Sequence, residues 1–172
     1  MPEALNQIRW CLNKAKKELA ENKKHRGLVE IKPDLQKAAA HLKKAMHNFR
    51  AITYFAEGGY SDWSASAAFY VIYHCFLAIL AKHGYESRNQ ECTLAVIQFL
   101  KEEAKIKLEN KFIDTLNVQL EIKEKHEHTI IEMREDYQYG TKTEMENKER
   151  LDKLLKICSE MVEAAKEIIY RV

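Results

Sequence analysis

Residues 61–84 read SDWSASAAFYVIYHCFLAILAKHG, and the fold can be worked outward from them. Ser61 and Asp62 are good helix N-caps, and Gly84 is a natural stop. Between them Trp63, Ala67, Phe69, Ile72, Tyr73, Cys75, Phe76, Ile79 and Leu80 cover most of the circumference of one helix. A helix apolar on nearly every side is central in a bundle, or is buried in part by a partner chain. The most apolar part, Ala65 to Ala81, is too short for a membrane span and includes Ser66, Tyr70, Tyr73 and His74. No membrane association is expected.

On either side the spacing predicts more helices. A first runs from Pro2 to about His25, with Ile8, Cys11, Leu12, Ala15 and Leu19 on one stripe and Gly27 as a left-handed cap. Leu28 to Pro33 reads as a link. A second helix starts near Asp34, carries Leu35, Ala38, Leu42, Ala45, Met46, Phe49 and Ile52, and ends at Gly58–Gly59. A fourth opens on a capping box of Ser87 with Gln90. A charged helical stretch spans about Leu108 to Tyr137, with a polar break over 123–128. The last helix follows Thr143 with Glu146 and repeats cleanly through Leu151, Leu154, Cys158, Met161 and Ile169. The expected fold is all-α, an up-and-down bundle of five or six helices over 34–172, with an extra N-terminal helix and link over 1–33.

Composition agrees. Of 172 residues only five are Gly and two Pro, too few for the turns of a sandwich or barrel. Lys+Arg is 28 and Asp+Glu 26, a net charge of +2, too small to predict nucleic-acid binding from charge alone. The start, MPEALNQIRW, lacks a secretory pattern, so a cytoplasmic location is expected. Cys11, Cys75, Cys92 and Cys158 form no CxxC pair and sit among apolar neighbours; reduced, buried thiols are expected.

Three constellations bear on chemistry. Ser66, Tyr70 and His74, spaced by four, share one helix face; they either bond neighbouring helices or form the wall of a cleft. Arg134, Glu135, Asp136, Tyr137 and Tyr139 precede Gly140. Arg134 and Tyr139 offer a guanidinium and a phenol suited to phosphate, unless Glu135 or Asp136 neutralises the arginine. His126 and His128 are two apart and cannot chelate together on a helix, and no histidine follows a Glu by three positions as a di-iron bundle requires. No metal site and no cofactor is expected. GxGxxG, P-loop, HExxH and GxSxG motifs are lacking.

The run Ser66-Ala-Ala-Phe-Tyr-Val-Ile-Tyr-His74, then Leu77-Ala-Ile-Leu-Ala-Lys-His-Gly84, resembles the HEPN domain. So do Tyr54-Phe-Ala-Glu-Gly-Gly-Tyr60 before it and Met133-Arg-Glu-Asp-Tyr-Gln-Tyr139 after it, and the likeness covers Asp34 to Val172. In small prokaryotic members an Arg is followed, after four residues, by Tyr, the spacing of Arg134 and Tyr139. The resemblance implies a helical bundle, a homodimer, and a role in binding nucleotides or binding or cutting RNA. It also implies a small nucleotidyltransferase partner, in toxin–antitoxin fashion, with Tyr139 as the target of nucleotide transfer. Ribonuclease members carry Arg, four to six residues, then His; none of the seven arginines here has that spacing. Arg88-Asn-Gln-Glu-Cys92 lacks the His often found at that point, and Tyr137 and Gln138 replace a small residue and an Asp. The expected function is a nucleotide- or partner-binding module, the alternative a metal-independent ribonuclease.

Overall fold

The computed structural model describes residues 2–116, 130–145 and 148–171. In chain order the elements are α1 (Pro2–Ala20), β1 (Leu28–Glu30), α2 (Leu35–Glu57), α3 (Ser61–Lys82), β2 (Tyr85–Ser87), α4 (Gln90–Glu102), α5 (Asn110–Asp114), α6 (Ile130–Tyr139) and α7 (Lys148–Tyr170). The architecture is an all-α bundle, as the periodicity predicts. His126 and His128 lie outside the described residues, as does Glu146 of the second capping box.

α3 is the axis of the bundle. More than half of its 22 residues are buried, covered by α2, α4, α6 and α7. It is long and apolar enough to cross a membrane by length and composition, yet most of it is buried inside the bundle. Burial on most sides explains why α3 shows no broad polar face, whereas α7 buries only Leu154, Cys158, Met161, Val162, Ala165 and Ile169 along one stripe.

Several local expectations are corrected. α1 stops at Ala20, and the left-handed residue beyond it is Asn22 (φ 56°), not Gly27. Gly27 is needed for a different reason: a Cβ there would lie 2.5 Å from the Cys11 carbonyl oxygen on α1. The supposed link contains β1, which pairs antiparallel with β2, Leu28 opposite Ser87 and Glu30 opposite Tyr85. Strands of three residues are too short to show an alternating pattern. α3 begins after Tyr60, without a side-chain cap, and Ser61 instead accepts a hydrogen bond from Met145 N–H at 2.7 Å. The cap of α4 is Asn89, whose side chain accepts from Cys92 N–H at 3.0 Å; Ser87 belongs to β2 and accepts from the Thr93 hydroxyl at 2.9 Å. Asp34 does cap α2, accepting from Lys37 N–H at 2.8 Å.

The largest correction concerns cysteine. Cys11 on α1 and Cys92 on α4 form a disulfide, their Cα atoms 5.9 Å apart, while Cys75 and Cys158 are free and buried. The two bonded residues are 81 positions apart, and only the docking of α1 on α4 brings them together. The N-terminal helix is thereby fastened to the bundle.

Candidate functional site

The first component is set by α6. Ile130, Ile131, Met133 and Tyr137 are its buried residues, so this side of the helix is turned into the bundle, toward α3. Arg134, next to that stripe, is half-buried and lays its guanidinium over Phe69 of α3, Cζ 4.2 Å from the ring centre. Its Nε is buried and has no hydrogen-bond partner among the described residues. A cation over an aromatic face is held by the ring quadrupole, and the planar group keeps its outer edge for other ligands.

From Phe69 a row of rings continues along α3. Phe69 stacks with Tyr73 at 5.8 Å and meets Tyr70 edge-on at 5.1 Å. Tyr70 and Tyr73 each approach His74, at 6.5 and 6.4 Å. His74 crosses to α2, its Nδ1 3.1 Å from the Nδ1 of His41. One ring donates and the other accepts, which requires at least one of them to be neutral. Burial, then His41, then Lys44 hold His74 down at about 4. His41 is lowered as well, by burial and by Lys37, against an opposing effect of Glu86. Burial holds the Tyr73 phenol above its ordinary value, so it stays protonated.

Behind His41, Glu86 on β2 gathers Lys37, Arg88 and the His25 ring. Lys37 on α2 bonds it, His25 Nε2 lies 3.4 Å away and Arg88 Nε 3.5 Å. The Lys37 hydrogen bond is the main cause holding the Glu86 carboxyl below its ordinary value, opposed by partial burial.

Of the residues singled out in the sequence, Tyr70 and His74 join this row, and half-buried Ser66 lies on the same face of α3. His74 does bond a neighbouring helix, one of the two readings given above. Arg134 enters the row through Phe69. Tyr139 is 76% exposed at the end of α6. Five residues along a helix turn it about 140° from Arg134, so the two do not share one face. Sequence reasoning missed His41 as a site residue and took Phe69 and Tyr73 as plain core. The i, i+4 spacing of Phe69 and Tyr73 was visible; the approach of His41 was not, because it depends on how α2 packs on α3.

Among the described residues, no three of His, Cys, Asp or Glu converge as a metal site. The arrangement is a fixed guanidinium, stacking rings and uncharged imidazoles. It can hold an anion or a base, and at neutral pH it lacks a protonated histidine to act as a general acid.

The bundle and this face define an all-α helical module with one partly exposed row of rings. The HEPN domain model matches residues 38–169, and the chain belongs to the HEPN domain family. α1 and β1 lie outside the matched region. No curated protein matches the chain.

Proposed function

We propose that this HEPN chain is a nucleotide- or partner-binding module, without its own catalysis, that acts with a small nucleotidyltransferase. The observation that carries the reading is Arg134 seated on Phe69 at the head of the ring row. A guanidinium held over a ring offers a fork of donors matched to phosphate oxygens, and exposed Tyr70 supplies a ring for stacking. The depressed His74 and His41 favour binding over RNA cleavage, since acid–base catalysis works best with a value near the operating pH. Exposed Tyr139 is within reach of an enzyme partner.

A homodimer belongs to the same proposal. α2, α4, α6 and α7 already cover most of α3, so the excess apolar surface expected from its sequence is largely taken up inside one chain. What remains is Trp63 and Tyr70, 53% and 47% exposed and two turns apart on one face. The proposed compartment is the cytoplasm, where full burial of both sulfurs would shield the Cys11–Cys92 bond from reductants.

The test is to co-express the chain with a nucleotidyltransferase encoded beside it, then measure complex formation and the mass of the Tyr139 peptide. The expected result is a stable complex and a tyrosine peptide heavier by one nucleotidyl group. Purified chain that cuts RNA in the presence of chelator would overturn the reading in favour of a ribonuclease.

A further inference from the structure

At the far end of α3, about 20 Å along the helix from Phe69 at 1.5 Å per residue, three helix C-termini converge. α3 ends at Lys82, α7 at Tyr170 and α4 at Glu102. After α4 the chain is redirected by Ala104 in the left-handed region (φ 53°), and Lys105 N–H closes back on the Leu100 carbonyl at 2.9 Å. The hollow left between them holds about 280 Å³ and is lined by Lys82, His83, Lys105, Lys107 and Arg171, with Glu167. A neighbouring hollow of about 470 Å³ shares Ile106 and Lys107 with it and adds Lys101. The two hollows adjoin at Ile106 and Lys107, and together they line this end of the bundle as a groove on either side of Lys107.

Its charge is lopsided in a chain whose net charge is only +2. The acids that line the groove are already engaged, Glu167 with Arg171 at 3.2 Å and Glu109 with Lys111 at 3.2 Å. Cations do suit helix C-termini, which is the structural alternative. Lys82 fills that role: its Nζ donates to the carbonyls of Ile168 at 2.6 Å and Ile169 at 3.0 Å, at the end of α7. Lys105 and Lys107 lie beyond the end of α4 and are exposed. His83 Nε2 is buried at this groove without a hydrogen-bond partner among the described residues. A buried polar nitrogen left unpaired is costly, and an anion in the groove would satisfy it.

We infer that this groove is a phosphate-binding site, separate from the Arg134 face, which takes the phosphate groups of a free nucleotide or of a single RNA strand. Lys105 and Lys107 supply charge, His83 supplies a directed hydrogen bond, and Ile106 and Ile168 are the apolar part of the lining.

The test uses the full chain with two probes, ATP and a ten-nucleotide oligoadenylate, titrated at low and at physiological salt. In parallel the ring protons of His83 are followed by NMR. Binding of either probe with a selective shift of the His83 signal is expected. ATP binding alone would assign the site to nucleotides, and binding of the oligomer alone to a strand. Lys105→Glu combined with Lys107→Glu should weaken binding at the His83 signal at least tenfold, while Arg134→Ala leaves it unchanged. Both lysines are exposed, and a thermal melt confirms that the double variant folds. If neither probe moves His83, or if the double variant binds as well as the parent while only its melting temperature falls, the cations merely offset the helix ends and the inference is wrong.

Discussion

Arg134 on α6 lies over the ring of Phe69 on α3, its guanidinium carbon 4.2 Å from the ring centre, although 65 positions (134 − 69) separate them in the chain. This contact fixes the direction of the guanidinium and starts the row of rings that ends at His41. Arg134→Ala should therefore weaken nucleotide binding at this face by about 1.5–3 kcal/mol, the scale of hydrogen bonds to a charged group. Arg134→Lys should recover little of it, because an ammonium neither stacks flat nor offers a fork of donors. Calorimetric titration with ATP reads both variants. Loss of folding in circular dichroism with unchanged affinity would show the arginine to be structural.

His74 makes stability depend on pH in a defined window. Its value is about 4 in the folded chain against 6.5 when unfolded. Above pH 6.5 the ring is neutral in both states and this contribution is complete. Between 6.5 and about 4 only the unfolded chain takes up the proton, so stability falls as pH falls. The ring is half-exposed, and solvent screening reduces the contribution to about 1 kcal/mol. His74→Gln should flatten the curve of melting temperature against pH across this window. An unchanged slope would assign it to other groups, His41 and His83 being lowered in the same sense.

Cys11–Cys92 closes a separation of 81 residues, which removes about 4 kcal/mol of conformational freedom from the unfolded chain. Cys11→Ala with Cys92→Ala should lower stability by a large part of that amount. Alkylation of the unfolded, non-reduced protein should label Cys75 and Cys158 only. Labelling of all four cysteines without reductant would count against the bond.

Gly27→Ala should destabilise the chain by about 1–3 kcal/mol, the cost of forcing atoms into a packed site. The new Cβ would meet the Cys11 carbonyl oxygen at 2.5 Å and Ala15 N at 3.1 Å, so α1 must move away from the start of β1. Chemical denaturation measures the change. The same substitution at Gly59, where a Cβ meets nothing within 4 Å, tests backbone strain (φ 82°) without a clash.

The sequence by itself determined α2, α3, α4 and α7 and the identity of the central helix, whereas α5 covers only Asn110–Asp114 of the helical stretch expected from Leu108. Helix periodicity, caps such as Asp34 and stops such as Gly58–Gly59 are encoded within a few residues, and the burial of α3 follows from its unbroken apolar surface. The four-residue spacing of Tyr70 and His74 and the place of Arg134 before Gly140 are legible in the sequence, and the HEPN resemblance covers the same residues. The tertiary structure alone decided what those residues touch. The Arg134–Phe69 contact, the His41–His74 pair, the β1–β2 pairing and the Cys11–Cys92 bond each join residues 33 or more positions apart. Such contacts depend on the rotation and register with which one helix packs on another. A stripe of apolar residues fixes only which side faces inward, so a half-buried residue at its edge, like His41 or Arg134, acquires its partner only when the bundle closes.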